Sequence, residues 1–380
     1  MLALIRSLFA PLFSLALLIL ASGLFNTFVS IRLELEGHSP EVIGIVISAL
    51  YLGILVGSLR IDQLISKQGH ARSFVIFAIL ITLVVLLQAI WVNPWFWSFL
   101  RFIGGICTAG IFIVIESWLL IQSPANMRGK ILSVYLAVFY GALSLGQFLI
   151  NLSDPKGIYP FFITAFLSAL SILPVTLMKL PQPKPVSEPV QLNLFQLFRI
   201  SPLGFMGGII SGMLLAVIYG LAPIYARENG MTISEVGTFM AILIFGGLSL
   251  QWPIGHWADK GNRRRVLNIM SLLTALFGLA IAQMEQLSPL LLFPLAWCFG
   301  GFSFTLYPLS MAYTCEKVQE NQIIAATGGF VLSYGMGAIA GPLMAPVAMS
   351  FLGSAGLFYF LAAIAFLLAF IGFKPQKISS

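Results

Sequence analysis

The chain has 380 residues, 59% of them hydrophobic and only 9% charged, with a mean hydropathy of +0.99, whereas a soluble domain carries roughly 25% charged residues. That composition excludes a soluble globular protein and defines an integral membrane protein, so the net charge of +7 reads as sidedness across a bilayer and gives no support to a nucleic-acid partner. Cys107, Cys298 and Cys315 form no CxxC pair and no cluster with histidine, so no disulfide framework, metal site or cofactor is expected.

Crossing a hydrocarbon core takes roughly 20 apolar residues in a helix, because backbone groups left unpaired in lipid cost several kcal/mol each. Reading the breaks between apolar runs gives twelve spans, at about 8–32, 42–64, 72–92, 95–121, 129–151, 158–178, 203–227, 234–257, 265–285, 288–314, 322–348 and 353–373. The first run is too long for a signal-peptide core and reads as a retained span. The longest break, "KLPQPKPVSEPVQLNLFQLFRISP" from Lys179 to Pro202, is too rich in proline to begin as helix, while its "LNLFQLFR" stretch fits a short amphipathic helix at the interface. It separates six spans from six, giving an N-terminal bundle over 1–179, a linker over 180–202 and a C-terminal bundle over 203–380.

Placing the N-terminus in the cytoplasm puts sixteen of the 20 lysines and arginines inside, leaving Arg32, Lys156 and Arg227 outside and Arg101 within the fourth span. The positive-inside rule therefore predicts that both termini are cytoplasmic. The halves also echo each other: "GSLRIDQLISKQGHAR" after the second span and "GHWADKGNRRR" after the eighth, "FIGGICTAGIF" and "CFGGFSFTLYP", "YGALSLGQ" and "YGMGAIAGP". Two six-helix bundles in parallel tandem explain this spacing.

Twelve spans in a 6+6 arrangement, with Asp- and Arg-containing turns after spans two and eight, resemble the major facilitator superfamily across essentially the whole chain. In its loop motif a glycine precedes an aspartate by four residues and a basic cluster follows, positions filled here by Gly255, Asp259, Lys260, Arg263 and Arg264, with Asn262 where a glycine is usual. The N-terminal copy is degenerate, with Asp62 five residues after Gly57. The stretches "QWPIGHWADK", "FTLYPLSMAYTCEK", "RFIGGICTAGIFIVIESW" and "LSYGMGAIAGP" resemble the YcaD-type branch of bacterial transporters. The resemblance implies an all-α fold of two six-helix bundles, a secondary transporter working by alternating access, and a multi-pass protein of the bacterial inner membrane. In it Gly255 allows close helix approach, and Asp259 forms a latch with a neighbouring helix N-terminus or arginine that breaks during transport. Enforcing topology is the simpler role for the basic run.

Charges inside a membrane are costly and usually functional. Arg101 and Glu116 both lie in the fourth span, and Arg101, Gly105, Thr108, Phe112 and Glu116 share roughly one helix face at about 100° per residue. Arg101 also resembles the family's fourth-span Arg-x-x-x-Gly motif, associated with proton coupling, and Glu116 with Asp62 are the candidate proton carriers. Arg101 bonded to backbone carbonyls, and Glu116 paired with Arg128 or Lys130, are the structural alternatives. Asn26 shares a face of span one with Ser22 and Ser30 and is the candidate substrate contact there. Tyr219, Trp297 and Tyr307 fit ligand stacking or hydrogen bonding, whereas Tyr225 and Tyr313 fit interface anchoring equally well. Gly337, Gly341 and Pro342 read as packing around a kink.

Arg32, Arg101 and Arg227 fall on spans one, four and seven, which the fold resemblance places around the central cavity. Arginine forks bind carboxylates, so the expected substrate is a small organic anion, such as a hydroxycarboxylate or a carboxylate-type siderophore. Glu34 and Glu228 stand beside Arg32 and Arg227 and would neutralise them in a purely structural reading. A proton-coupled multidrug efflux antiporter is the runner-up, weakened by the lack of proline in the fifth-span stretch "FYGALSLGQFLIN". A non-transporting receptor or structural protein is the third reading. No HExxH, GxSxG or GxxxxGK[ST] occurs, so neither enzyme nor ATP-driven pump is expected. The expected partners are the bilayer, one small-molecule substrate and a coupling proton, with the chain a monomer.

Overall fold

The computed structural model describes residues 2–59, 61–123, 127–177, 194–283, 289–319 and 322–373. Among these the regular structure is helical throughout: α1 Leu2–Leu35, α2 Pro40–Ser58, α3 Ile61–Gln68, α4 His70–Ile90, α5 Pro94–Gln122, α6 Arg128–Gln147, α7 Tyr159–Leu170, α8 Ile172–Leu177, α9 Leu194–Ile200, α10 Pro202–Glu228, α11 Ile233–Lys260, α12 Arg263–Ala282, α13 Pro289–Cys315, α14 Ile323–Leu352 and α15 Gly356–Phe373. Twelve segments are long and apolar enough to cross a membrane, matching the twelve apolar runs of the sequence. Most of the predicted linker, including Lys179 and Lys184, lies outside the described residues, as do Arg60, Lys374 and Lys377.

Local chemistry explains several boundaries. The sixth span is broken into α7 and α8 because Pro174 has no N–H to give to the Leu170 carbonyl and its ring crowds that turn. Asn93 starts α5 by accepting from the amides of Trp95 and Phe96, each at 3.0 Å, with Pro94 at the first helical position. The turn after α1 closes on Gly37 at φ +83°, with Gly37 N donating to Glu34 O and His38 N to Leu33 O. The turn after α10 closes the same way on Gly230 at φ +81°, with Gly230 N donating to Arg227 O and Met231 N to Ala226 O. The tandem repeat read from the sequence thus extends to individual turn hydrogen bonds.

The chain divides into two compact units, Met1–Ser187 with Thr232–Ala241, and Glu188–Met231 with Ile242–Ser380. Unit 1 therefore holds α1–α8 and the first turns of α11; unit 2 holds α9, α10, the rest of α11 and α12–α15. In lipid, helices gain little hydrophobic energy from one another, so close backbone packing across small residues carries more of the load. In unit 1, α2 and α5 touch at Gly53 and Gly105: a Cβ on Gly53 would overlap the Phe102 carbonyl oxygen and stand 3.0 Å from Gly105 Cα, and one on Gly105 would overlap the Leu50 carbonyl oxygen. In unit 2, α11 and α13 make the same reciprocal contact through Gly246, against Trp297 O, and Gly300, against Leu243 O. Gly337 packs on Ile209 and Gly341 on Met213, the α10–α14 contact expected of that glycine run. The short α9 sends Leu197, fully buried, against Ala326 and Phe330 of α14, so it is part of the unit 2 core as well as amphipathic.

Candidate functional site

Two features of α5 bring Arg101 to its place: the Asn93 cap, which fixes where the helix begins, and the Gly53–Gly105 contact one turn below, which draws α2 in against it. Arg101 is 5% exposed. Its Nη1 donates to Asn26 Oδ1 on α1 at 3.0 Å, and its guanidinium carbon lies 5.4 Å from the centroid of the Phe25 ring. Nε is buried with no hydrogen-bond partner. Tyr51 of α2, 9% exposed, lies within electrostatic reach of this guanidinium. No carboxylate faces Arg101 among the described residues. The other charge within the span, Glu116, is fifteen residues on, roughly 22 Å along the helix, and is exposed without an ion pair or hydrogen bond among the described residues. An arginine buried with only a neutral amide and a ring for company is costly unless an anion joins it.

The remaining predicted residues divide clearly. Asn26 accepts from Arg101, a pairing the sequence did not point to, while Ser22 and Ser30 turn back on Leu18 O and Asn26 O of their own helix. Thr108 donates to Gly104 O at 2.8 Å. Arg32 does not join Arg101. Its Nη1 donates to Pro155 O at 3.1 Å and to the carbonyls of Lys156 and Gly157, and its Nε sits 2.8 Å from Glu36 Oε1 as an ion pair without hydrogen-bond alignment. The carboxylate paired with Arg32 is Glu36, one turn beyond it just past the end of α1 and two residues past Glu34. Arg227 donates Nη1 to Met231 O at 3.3 Å, in the turn after α10. The side chain of Asp62 lies outside the described residues.

In unit 2, Trp297 donates Nε1 to Ser249 Oγ at 3.0 Å. Tyr219 meets Phe304 edge-on at 5.6 Å between ring centroids, and Tyr307 stands at 5.0 Å from Tyr334 and 5.3 Å from Phe330. These three are half-buried. Tyr225 is no interface anchor: it is 1% exposed and reaches Ile281 O at 3.4 Å.

The basic turn at the end of α11 is an ion-pair network. Arg263 gives Nη2 to Asp259 Oδ1 at 2.6 Å and Nη1 to Glu316 Oε1, just past α13, at 2.7 Å. Arg264 donates Nε to Gly372 O at 2.9 Å, which ties α12 to the end of α15. Asn262, standing where the family has glycine, caps α12 by accepting from Arg265 N at 3.1 Å. Lys260 is exposed, and Lys317 lies 5.5 Å over the Tyr313 ring beside a recess of about 300 Å³. One expectation is corrected. Gly255 makes no close helix approach, since a Cβ there would meet nothing within 4 Å; it lies on an open side of α11, and the close contacts are made by Gly246 and Gly247 further up. Among the described residues no three His, Cys, Asp or Glu side chains gather as a metal site.

Twelve spans, paired bundles built on reciprocal glycine contacts, and an Asp–Arg network at the turn after α11 define a membrane transporter of the Major Facilitator Superfamily, to which the chain belongs; the family's sequence profile matches residues 12–203 and 204–377. Among its relatives, the MFS-type transporter YcaD of Escherichia fergusonii is 32% identical over 356 residues, 93% of this chain and 91% of that one. The YcaD transporter of Salmonella typhimurium is 32% identical over 355 residues, with coverage of 93% and 91%. Solved structures with the same fold include the nucleoside transporter NupG (TM-score 0.81, 14% identity, 96% of this chain and 98% of that one), the D-xylose-proton symporter (0.79, 15%, 98% and 97%) and the human organic anion transporter MFSD10 (0.67, 15%, 97% and 99%). At such identities the likeness is one of fold.

Proposed function

We propose that this transporter moves a small organic anion across the bacterial inner membrane by alternating access, with Arg101 holding the anion. The single observation that carries the reading is a buried guanidinium whose partners are Asn26 and Phe25, both neutral. The similar folds belong to nucleoside, xylose and organic anion transporters, so the choice among substrate classes rests on the chemistry around Arg101. Arg32 and Arg227 are left out of the substrate site because backbone carbonyls already take their donors. The lysine and arginine count favours cytoplasmic termini.

We further assign energy coupling to protons, with Glu116 as carrier because it is the one acidic side chain within a described span away from its ends. Substrate-driven pH change in a weakly buffered liposome suspension tests this; its absence would mean uniport or exchange. A thermal-shift screen of the purified protein against organic anions and lipophilic cations tests the anion reading. Stabilisation by anions that disappears in Arg101→Ala supports it. Stabilisation by cations alone, unaffected by that substitution, would overturn it in favour of drug efflux.

A further inference from the structure

Asn26 leaves a particular part of Arg101 free. With Nη1 taken by Asn26 Oδ1, the guanidinium keeps Nε and Nη2, the two donors of one planar edge, with no hydrogen bond from either to a described residue. Two N–H groups on one edge are the fork that receives both oxygens of a carboxylate. Tyr51 lies within electrostatic reach of this guanidinium, and no hydrogen bond joins its hydroxyl to a described residue. The Gly53–Gly105 contact holds the two side chains together: Tyr51 is two residues from Gly53 on α2, Arg101 four from Gly105 on α5, and neither helix can retreat without opening that joint. A buried phenol needs an acceptor to meet, and the described residues supply none here.

We infer that Tyr51 is a second donor to the anion held by Arg101, and that the pair forms a site for a monocarboxylate. The valence follows from the charge count. Arg101 is the one cation in this cluster, Arg32 being paired with Glu36 and turned onto the 155–157 carbonyls. One carboxylate leaves the loaded cluster neutral, whereas a dicarboxylate or a phosphate dianion would bring a second negative charge into a buried place without a partner, where desolvation of the unpaired charge disfavours it. This inference rests on the reading of Arg101 as the anion-holding group.

The test uses the full chain in nanodiscs at pH 7.5, with benzoate and lactate as monocarboxylate probes against succinate, citrate and inorganic phosphate, read by thermal shift and calorimetry. Tyr51→Phe keeps the ring and removes the hydroxyl, and Asn26→Asp places a carboxylate against Arg101 as a built-in competitor. The expected result is binding of at least one monocarboxylate and none of the multivalent anions, weakened about tenfold or more in Tyr51→Phe, as for a lost hydrogen bond to a charged group, and abolished in Asn26→Asp. Binding that Asn26→Asp abolishes but Tyr51→Phe leaves unchanged overturns the role of Tyr51 while Arg101 keeps its assignment. Binding of succinate or phosphate as tight as that of the monocarboxylates overturns the valence rule. Failure of every anion to bind, or binding indifferent to Asn26→Asp, overturns both this inference and the anion reading beneath it.

Discussion

The α2–α5 pair of unit 1 and the α11–α13 pair of unit 2 share one construction and carry opposite contents. Each is joined by reciprocal glycine-to-carbonyl contacts, Gly53 with Gly105 and Gly246 with Gly300. Arg101 stands four residues before Gly105, and Trp297 three residues before Gly300. There the likeness ends. The Trp297 indole is neutral and its N–H is satisfied within the unit by Ser249. The Arg101 guanidinium is charged, buried, and only partly satisfied. The ends of the bundles show the reverse arrangement: in unit 2 the Arg263 charge is matched by two carboxylates at 2.6 and 2.7 Å. Full internal pairing marks the parts that hold the protein together; incomplete pairing deep in a span is what the proposed anion site rests on.

The contrast can be broken most severely at Arg101. We expect Arg101→Ala to reduce transport by two orders of magnitude or more at matched expression, since it removes a charge-assisted fork worth about 1.5–3 kcal/mol per hydrogen bond; initial uptake rates in proteoliposomes would measure it, and wild-type uptake would contradict the contrast. Next in size is Asp259→Asn, which leaves Arg263 with Glu316 alone. An exposed pair contributes only about 0–1 kcal/mol to stability, so insertion and melting temperature should hardly move while transport slows severely. Unchanged flux would leave the network a role in topology only.

Gly53→Ala tests the joint itself. Its new methyl has to displace the Phe102 carbonyl, and overpacking of this kind costs about 1–3 kcal/mol; a lowered melting temperature with weaker anion stabilisation is expected, against a lowered melting temperature alone if Tyr51 and Arg101 do not depend on the contact. The smallest effect belongs to Trp297→Phe, which removes one neutral hydrogen bond, about 0.5–1.5 kcal/mol. Anion affinity measured by calorimetry should stay within twofold. A loss as large as that at Arg101 would contradict the contrast drawn between Arg101 and Trp297.

Much of this was legible in the sequence because hydropathy alone dictates it: a run of some twenty apolar residues has few options other than a span. Arg101 was legible for the same reason, since a charge in such a run is conspicuous. Asn26 needed only the helical period. Tyr51 was not legible: it is one of ten tyrosines, and what singles it out is the crossing of two helices far apart in sequence. Glu316, the second partner of Arg263, was hidden likewise, 53 residues away. Arg32 misled because, besides Glu36, its partners are the carbonyls of 155–157, which leave no mark in a sequence, and Gly255 misled because a glycine in a motif says nothing about which side of its helix has a neighbour.

The cation–π seat of Arg101 on Phe25 has an electrical consequence. Neither Phe25 nor Asn26 can cancel a positive charge, so on the proposed monocarboxylate site an empty carrier would change state bearing one net charge at this position and a loaded carrier none there. Moving one elementary charge through a membrane potential is worth about 2.3 kcal/mol per 100 mV. If the Glu116 charge stays constant through the cycle, the field acts on the return of the empty protein and leaves the loaded step alone, whereas loss of a proton from Glu116 with the substrate would cancel the Arg101 charge and remove that response. Net flux and one-for-one exchange measured under an imposed potential separate the two.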